Sequence, residues 1–119
     1  MIHDYLAFRD RFAAALDPNW ESIEWLDHKV GEGGVKLWVE GETALLTEVQ
    51  PTPSGAILFG LVCAGDMDAL LHEIQPALEQ YARDRGCSGI AFCGRPGWGR
   101  VMAGHGYKTV QIIACKDIT

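Results

Sequence analysis

Long hydrophobic runs are missing from this sequence. No stretch approaches the roughly 18 consecutive apolar residues of a membrane-spanning helix, although 48% of the 119 residues are hydrophobic. A soluble chain without a membrane partner is expected. The first residues, MIHDYLAFRDRF, set Asp4 and Asp10 among their apolar side chains. They lack the basic start, continuous apolar core and small-residue cleavage site of a secretory signal, so the expected location is cytoplasmic. Positive charge is also scarce: the formal net charge is -6, with 4 basic and 10 acidic side chains in residues 1–59 and 6 of each in residues 60–119. An acidic half repels phosphate backbones, which argues against nucleic acid as a partner.

Cysteine spacing excludes further classes. Cys63, Cys87, Cys93 and Cys115 form no C-x-x-C pair and lie in or beside apolar strands, so buried, reduced thiols are expected rather than a zinc site, a disulfide or a nucleophile. His3, His28, His72 and His105 are scattered without ligand spacing, and no metal site is expected. No Ser-His-Asp constellation, internal repeat, linker or low-complexity segment is legible. A chain this short leaves two adequate cores out of reach, so residues 1–119 read as one domain, folding alone or as a small homo-oligomer.

What is present is strong periodicity. Ile2, Tyr5, Leu6, Phe12, Ala13 and Leu16 recur at helical spacing and predict a helix over residues 3–16. Asp17 and Pro18 read as the cap and first position of a second helix carrying Ile23, Leu26 and Val30, stopped by the glycines of GEGG. Val35, Leu37 and Val39 alternate with Lys36, Trp38 and Glu40, predicting a half-exposed strand that turns at Gly41-Glu42 into a strand over 43–50. The prolines of PTPSG mark the next turn. AILFGLVCA, residues 56–64, is apolar on both faces, as in a central strand covered by helices, and Gly60 suggests a bulge or a close backbone approach. Gly65-Asp66 caps a long helix along Met67, Leu70, Leu71, Ile74, Leu78, Tyr81 and Ala82, with Pro76 predicting a kink or break. A strand over 89–93, a short helix and a last strand over 108–115 complete the order α-α-β-β-β-α-β-α-β. Strands 56–64 and 89–93 are expected to run parallel, because a helix joins them.

This order, with Leu37-Trp38, Thr47-Glu48-Val49 and Pro51, Gly86-Cys87, Gly94 to Trp98 and Gly106-Tyr107, resembles the GNAT superfamily of acyl-CoA-dependent N-acyltransferases. More narrowly, it is similar to small GNAT-like proteins of phages and prophages. The resemblance covers roughly residues 18–116 and implies a single α/β (α+β) domain, a mixed sheet flanked by helices. It also implies acetyl-CoA or another acyl-CoA as cofactor, with its pantetheine arm on the strand backbone of Leu61, Val62, Cys63, Ala64 and Gly65. Strands 56–64 and 89–93 should then splay near Gly65 and Gly94.

Two departures bear on activity. The family's pyrophosphate loop, [QR]-x-x-G-x-[GA], is reduced here to Ala64-Gly65-Asp66, and Asp66 and Asp68 put negative charge where phosphate would lie. Met102 stands where the family often has a tyrosine acid, and a thioether donates no proton. Glu48 is the candidate base for an amine substrate, or else a solvent-facing strand residue. Arg95, Trp98 and Arg100 in GRPGWGR form the densest polar-aromatic cluster. They suit an anion site, a protein-binding surface, or a helix anchor flanked by solvated arginines. Two functions remain open: a minimal acyltransferase, and a non-catalytic phage-type accessory or assembly protein that binds a protein partner through GRPGW or the last strand.

Overall fold

A computed structural model describes residues 2–94 and 97–118. Its elements are α1 (Ile2–Ala15), α2 (Ile23–Glu32), β1 (Val35–Glu40), β2 (Thr43–Thr52), β3 (Gly55–Ala64), α3 (Met67–Ala69), a π segment (Leu70–Ile74), α4 (Gln75–Asp84), β4 (Gly89–Phe92) and α5 (Gly97–Ala103). The four strands form one sheet in the order β1-β2-β3-β4. β1-β2 and β2-β3 are antiparallel, and β3-β4 is parallel as expected. No described helix is long and apolar enough to cross a membrane.

Helices cover both faces of the sheet. On one, Tyr5, Phe12 and Leu16 of the first helical stretch and Leu26 and Val30 of α2 pack on Ala44, Leu46, Val62 and Ala64. On the other, Leu70, Ile74, Leu78 and Ala82 pack on Leu45 and Leu58. A bulge makes β3 serve both cores. The β2-β3 register slips between Leu46, opposite Val62, and Thr47, opposite Gly60, which leaves Leu61 as the extra residue. Side chains alternate along a strand, so Leu58 and Val62 would otherwise share a face; the inserted residue sends Val62 to the α1 side. Gly60 also provides the expected close approach, because a Cβ there would overlap the Phe92 ring.

The long helix does not break at Pro76: it runs on from Met67 to Asp84, widened into a π turn just before the proline. The Gln75 N–H bonds Leu70 O, five residues back, and Pro76 falls in the first turn of α4. The wide turn keeps the proline ring away from the His72 carbonyl.

Several expectations are corrected. α2 starts at Ile23, not near Pro18, because Ser22 is extended and its hydroxyl accepts from Trp25 N. Asp17 instead accepts from Asn19 N at 3.0 Å in a separate turn. Leu6 lies off the buried stripe of α1, at 56% exposure. Trp38 does not face solvent: it meets Tyr81 edge-on at 5.4 Å and donates its Nε1–H to the buried Thr47 hydroxyl at 2.9 Å. Of the four free thiols, Cys63 and Cys87 are half-buried while Cys93 and Cys115 are exposed. The last strand, over 108–115, is absent, because no described strand lies beside it to take its backbone hydrogen bonds. Alternating apolar residues make a strand only where such a neighbour exists.

Candidate functional site

The residues that the sequence marks for a ligand lie at the carboxyl ends of β3 and β4. Pairing stops at Gly60 opposite Phe92, while β3 continues through Leu61, Val62, Cys63 and Ala64. The backbone of those four residues therefore lies beyond the ladder with β4. On the α4 face the Phe92 ring meets Tyr107 at 5.7 Å, and the Tyr107 hydroxyl donates to Gln75 Oε1 at 2.8 Å. Burial raises the Tyr107 phenol, with Glu79 adding to this and the Gln75 bond opposing it. The phenol thus stays protonated at neutral pH. Burial pushes the Cys63 thiol up to about 11, which keeps it from acting as a thiolate nucleophile.

Glu48 occupies the opposite face, toward α2. Lys29 Nζ holds it at 2.9 and 3.2 Å, and Gln50 Nε2 adds a bond at 3.0 Å. Its side chain is 17% exposed. Burial works to raise this carboxyl, but the Lys29 and Gln50 bonds and the Lys29 charge together hold it below the usual carboxylate range. A paired, weakly basic carboxylate is poorly suited to deprotonating an amine. Glu48 and Tyr107 are not brought together.

At the end of β3, Gly65 has φ +116, and a Cβ there would lie 2.7 Å from Thr43 Cα. The backbone N–H of Asp66 donates to Thr43 Oγ1 and that of Asp68 to Asp66 Oδ1, both at 2.9 Å. Leu70 N bonds Asp66 O at 3.2 Å. Two of the loop's donors, Asp66 N and Asp68 N, are thus already taken.

The GRPGWGR cluster is only partly visible, since Arg95 and Pro96 fall outside the described residues. Trp98 is half-buried over Gly94, where an added Cβ would sit 2.6 Å from the indole Cε3, and Arg100 is exposed. Met102 is buried, which fits an anchor for α5. Among the described residues no group of three or more His, Cys, Asp or Glu is placed to hold a metal ion.

No protein-family model and no curated protein matches this chain. Solved structures do. Trypanosoma brucei acetyltransferase Tb11.01.2886 superposes with a TM-score of 0.62 at 13% identity, covering 98% of this chain and 94% of that one. TTHA1254 from Thermus thermophilus gives 0.57 at 16% identity, covering 95% and 92%. The fold is GNAT-like. Identities this low establish the architecture and leave chemistry to the residues themselves.

Within this GNAT-like fold, two features escaped sequence reasoning as chemistry. One is the Tyr107-Gln75 pair, whose only sequence signal was the closing Gly106-Tyr107. The other is His72 on the π segment, whose ring meets that of His105 at 5.2 Å. The two lie 33 positions apart in sequence, and no spacing rule connects them.

Proposed function

We propose that this chain is a GNAT-like domain that does not run acyl-CoA chemistry and acts by binding a protein partner, which includes the accessory or assembly role implied by its resemblance to phage-type proteins. The observation that carries this reading is the loop over residues 65–68. An anion site at a helix start needs unpaired N–H groups and a favourable charge. Here Asp66 N and Asp68 N already have acceptors, and two carboxylates stand where a pyrophosphate would lie. The pairing of Glu48 with Lys29 supports it further, by engaging the candidate base.

One observation favours the other reading, acyl-CoA-dependent transfer to an amine. Leu61 to Ala64 extend past the end of the β3-β4 ladder, as a pantetheine arm would require. Acetyl-CoA calorimetry separates the two. The expected dissociation constant is weaker than about 10 μM, corresponding to less than roughly 7 kcal/mol, and Asp66→Gly combined with Asp68→Arg should strengthen residual binding. Tight binding by the unaltered chain would restore the enzyme reading, with Tyr107 and Glu48 as the first residues to test.

A further inference from the structure

Two imidazoles that are distant in sequence meet at the surface. His72 lies in the π segment and His105 in the turn that follows α5, and both are exposed. Their ring centroids are 5.2 Å apart, with the planes at 76°. Among the described residues neither ring has a hydrogen-bond or ion-pair partner.

Local structure fixes this approach from both sides. The π turn, closed by the bond from Gln75 N–H to Leu70 O, carries His72 in its middle, and such turns gather at functional positions. Past α5, the N–H groups of His105 and Tyr107 both bond Met102 O, at 2.9 and 3.3 Å. The Tyr107 hydroxyl then reaches Gln75 Oε1 at 2.8 Å. A tie two residues beyond His105 and three beyond His72 therefore sets the separation of the rings.

We propose that His72 and His105 chelate one zinc ion, each through a ring nitrogen, with water completing a tetrahedral shell. The distance carries this. Zinc lies about 2.0 to 2.1 Å from an imidazole nitrogen, hence about 3.2 Å from the ring centre, and a tetrahedral angle at the metal puts two such centres about 5.2 Å apart. Edge-on packing of the rings would fit the same distance, but the surrounding charge favours a cation. Residues 66–82 carry Asp66, Asp68, Glu73 and Glu79 with no Lys or Arg, against Arg100 and Lys108 flanking His105 in sequence. That negative balance draws a divalent ion. Imidazole donors select zinc over magnesium and calcium, which take oxygen ligands. The terminal torsion of each histidine is soft, so either ring turns a nitrogen toward the ion at little cost. No third His, Cys, Asp or Glu among the described residues is placed to join them, which leaves two positions open to exchange for a ligand's donor atom. The site goes beyond the protein-binding reading and stands without it.

Zinc calorimetry tests this on the full chain carrying Cys93→Ser and Cys115→Ser, which silence the two exposed thiols. The expected result is one zinc per chain with a dissociation constant tighter than about 100 μM. His72→Gln or His105→Gln should weaken binding about tenfold or more, and the double variant little further, because the chelate is already lost with its first arm. His28→Gln, which removes the separate His28-Glu32 pair, should leave binding unchanged. Circular dichroism checks that each variant is folded. Amide exchange over residues 104–107 should slow when zinc is added to the unsubstituted histidine pair and stay unchanged in the double variant. A folded chain that binds zinc more weakly than about 100 μM overturns the proposal. Binding that survives both substitutions, or is lost with His28, overturns it too. So do losses that add across the two single variants, since the imidazoles would then hold separate ions.

Discussion

At the scale of single residues, the informative positions are those where two demands meet. Gly60 was legible because a glycine inside an apolar strand needs a reason, and the structure supplies two, the bulge and the Phe92 ring. Glu48 was legible only as a type. Its partner Lys29 lies 19 residues away on α2, a distance no local pattern encodes. The pair makes a pH prediction. Because Glu48 is held below its ordinary 4.5 in the folded chain, the folded state binds the proton more weakly than the unfolded one. Its contribution is therefore present above pH 4.5 and lost as pH falls through the lower folded value. Lys29→Met should cost about 1 to 2 kcal/mol at pH 7, an amount moderated by partial solvent screening. Urea titrations should show that gap closing as the pH drops below 4.5. A gap constant with pH would mean that Lys29 contributes packing rather than charge.

Elements were legible where one residue dominates and obscure where two compete. Pro76 alone marked the irregularity in the long helix, whereas Asp17 read as the cap of the second helix and the structure uses Ser22 instead. The final strand was misread for a related reason: its pattern was correct, but a ladder needs a neighbour that sequence does not reveal. The π segment gives the element-scale prediction. A proline in an unbroken helix interior costs about 3 kcal/mol. Here Pro76, which has no N–H, directly follows the π turn, where the regular α-helical hydrogen-bond ladder is already interrupted. Pro76→Ala should therefore change stability by less than about 1 kcal/mol, while Gln80→Pro, in the middle of α4, should cost about 3 kcal/mol or more. Similar losses in both, measured by thermal melts, would mean that the π turn does not accommodate the proline.

At the scale of the molecule, a mixed sheet flanked by helices was readable because the alternation of helices and strands and the doubly apolar β3 admit few arrangements, while its GNAT-like character came from the resemblance of its motifs. The candidate site was less readable, since its character depends on which backbone donors are already taken. The sheet divides the interior into two cores, and the strands join them residue by residue: Leu45 is buried on the α4 side and Leu46 on the α1 side. Neither core can be lost without exposing the back of the same strand. Leu26→Ala and Leu78→Ala remove fully buried side chains from the two cores, and each should cost about 2 to 5 kcal/mol. In both variants the whole molecule should unfold in one transition. Trp25 packs on the first core and Trp38 on the second, so each reports its own side. With the other three tryptophans replaced by phenylalanine, Trp25 and Trp38 fluorescence should give coincident denaturation midpoints in either leucine variant. Midpoints that separate, with the reporter nearest the substitution melting first, would show that the two faces of the sheet are independent folding units and that β2 does not couple them.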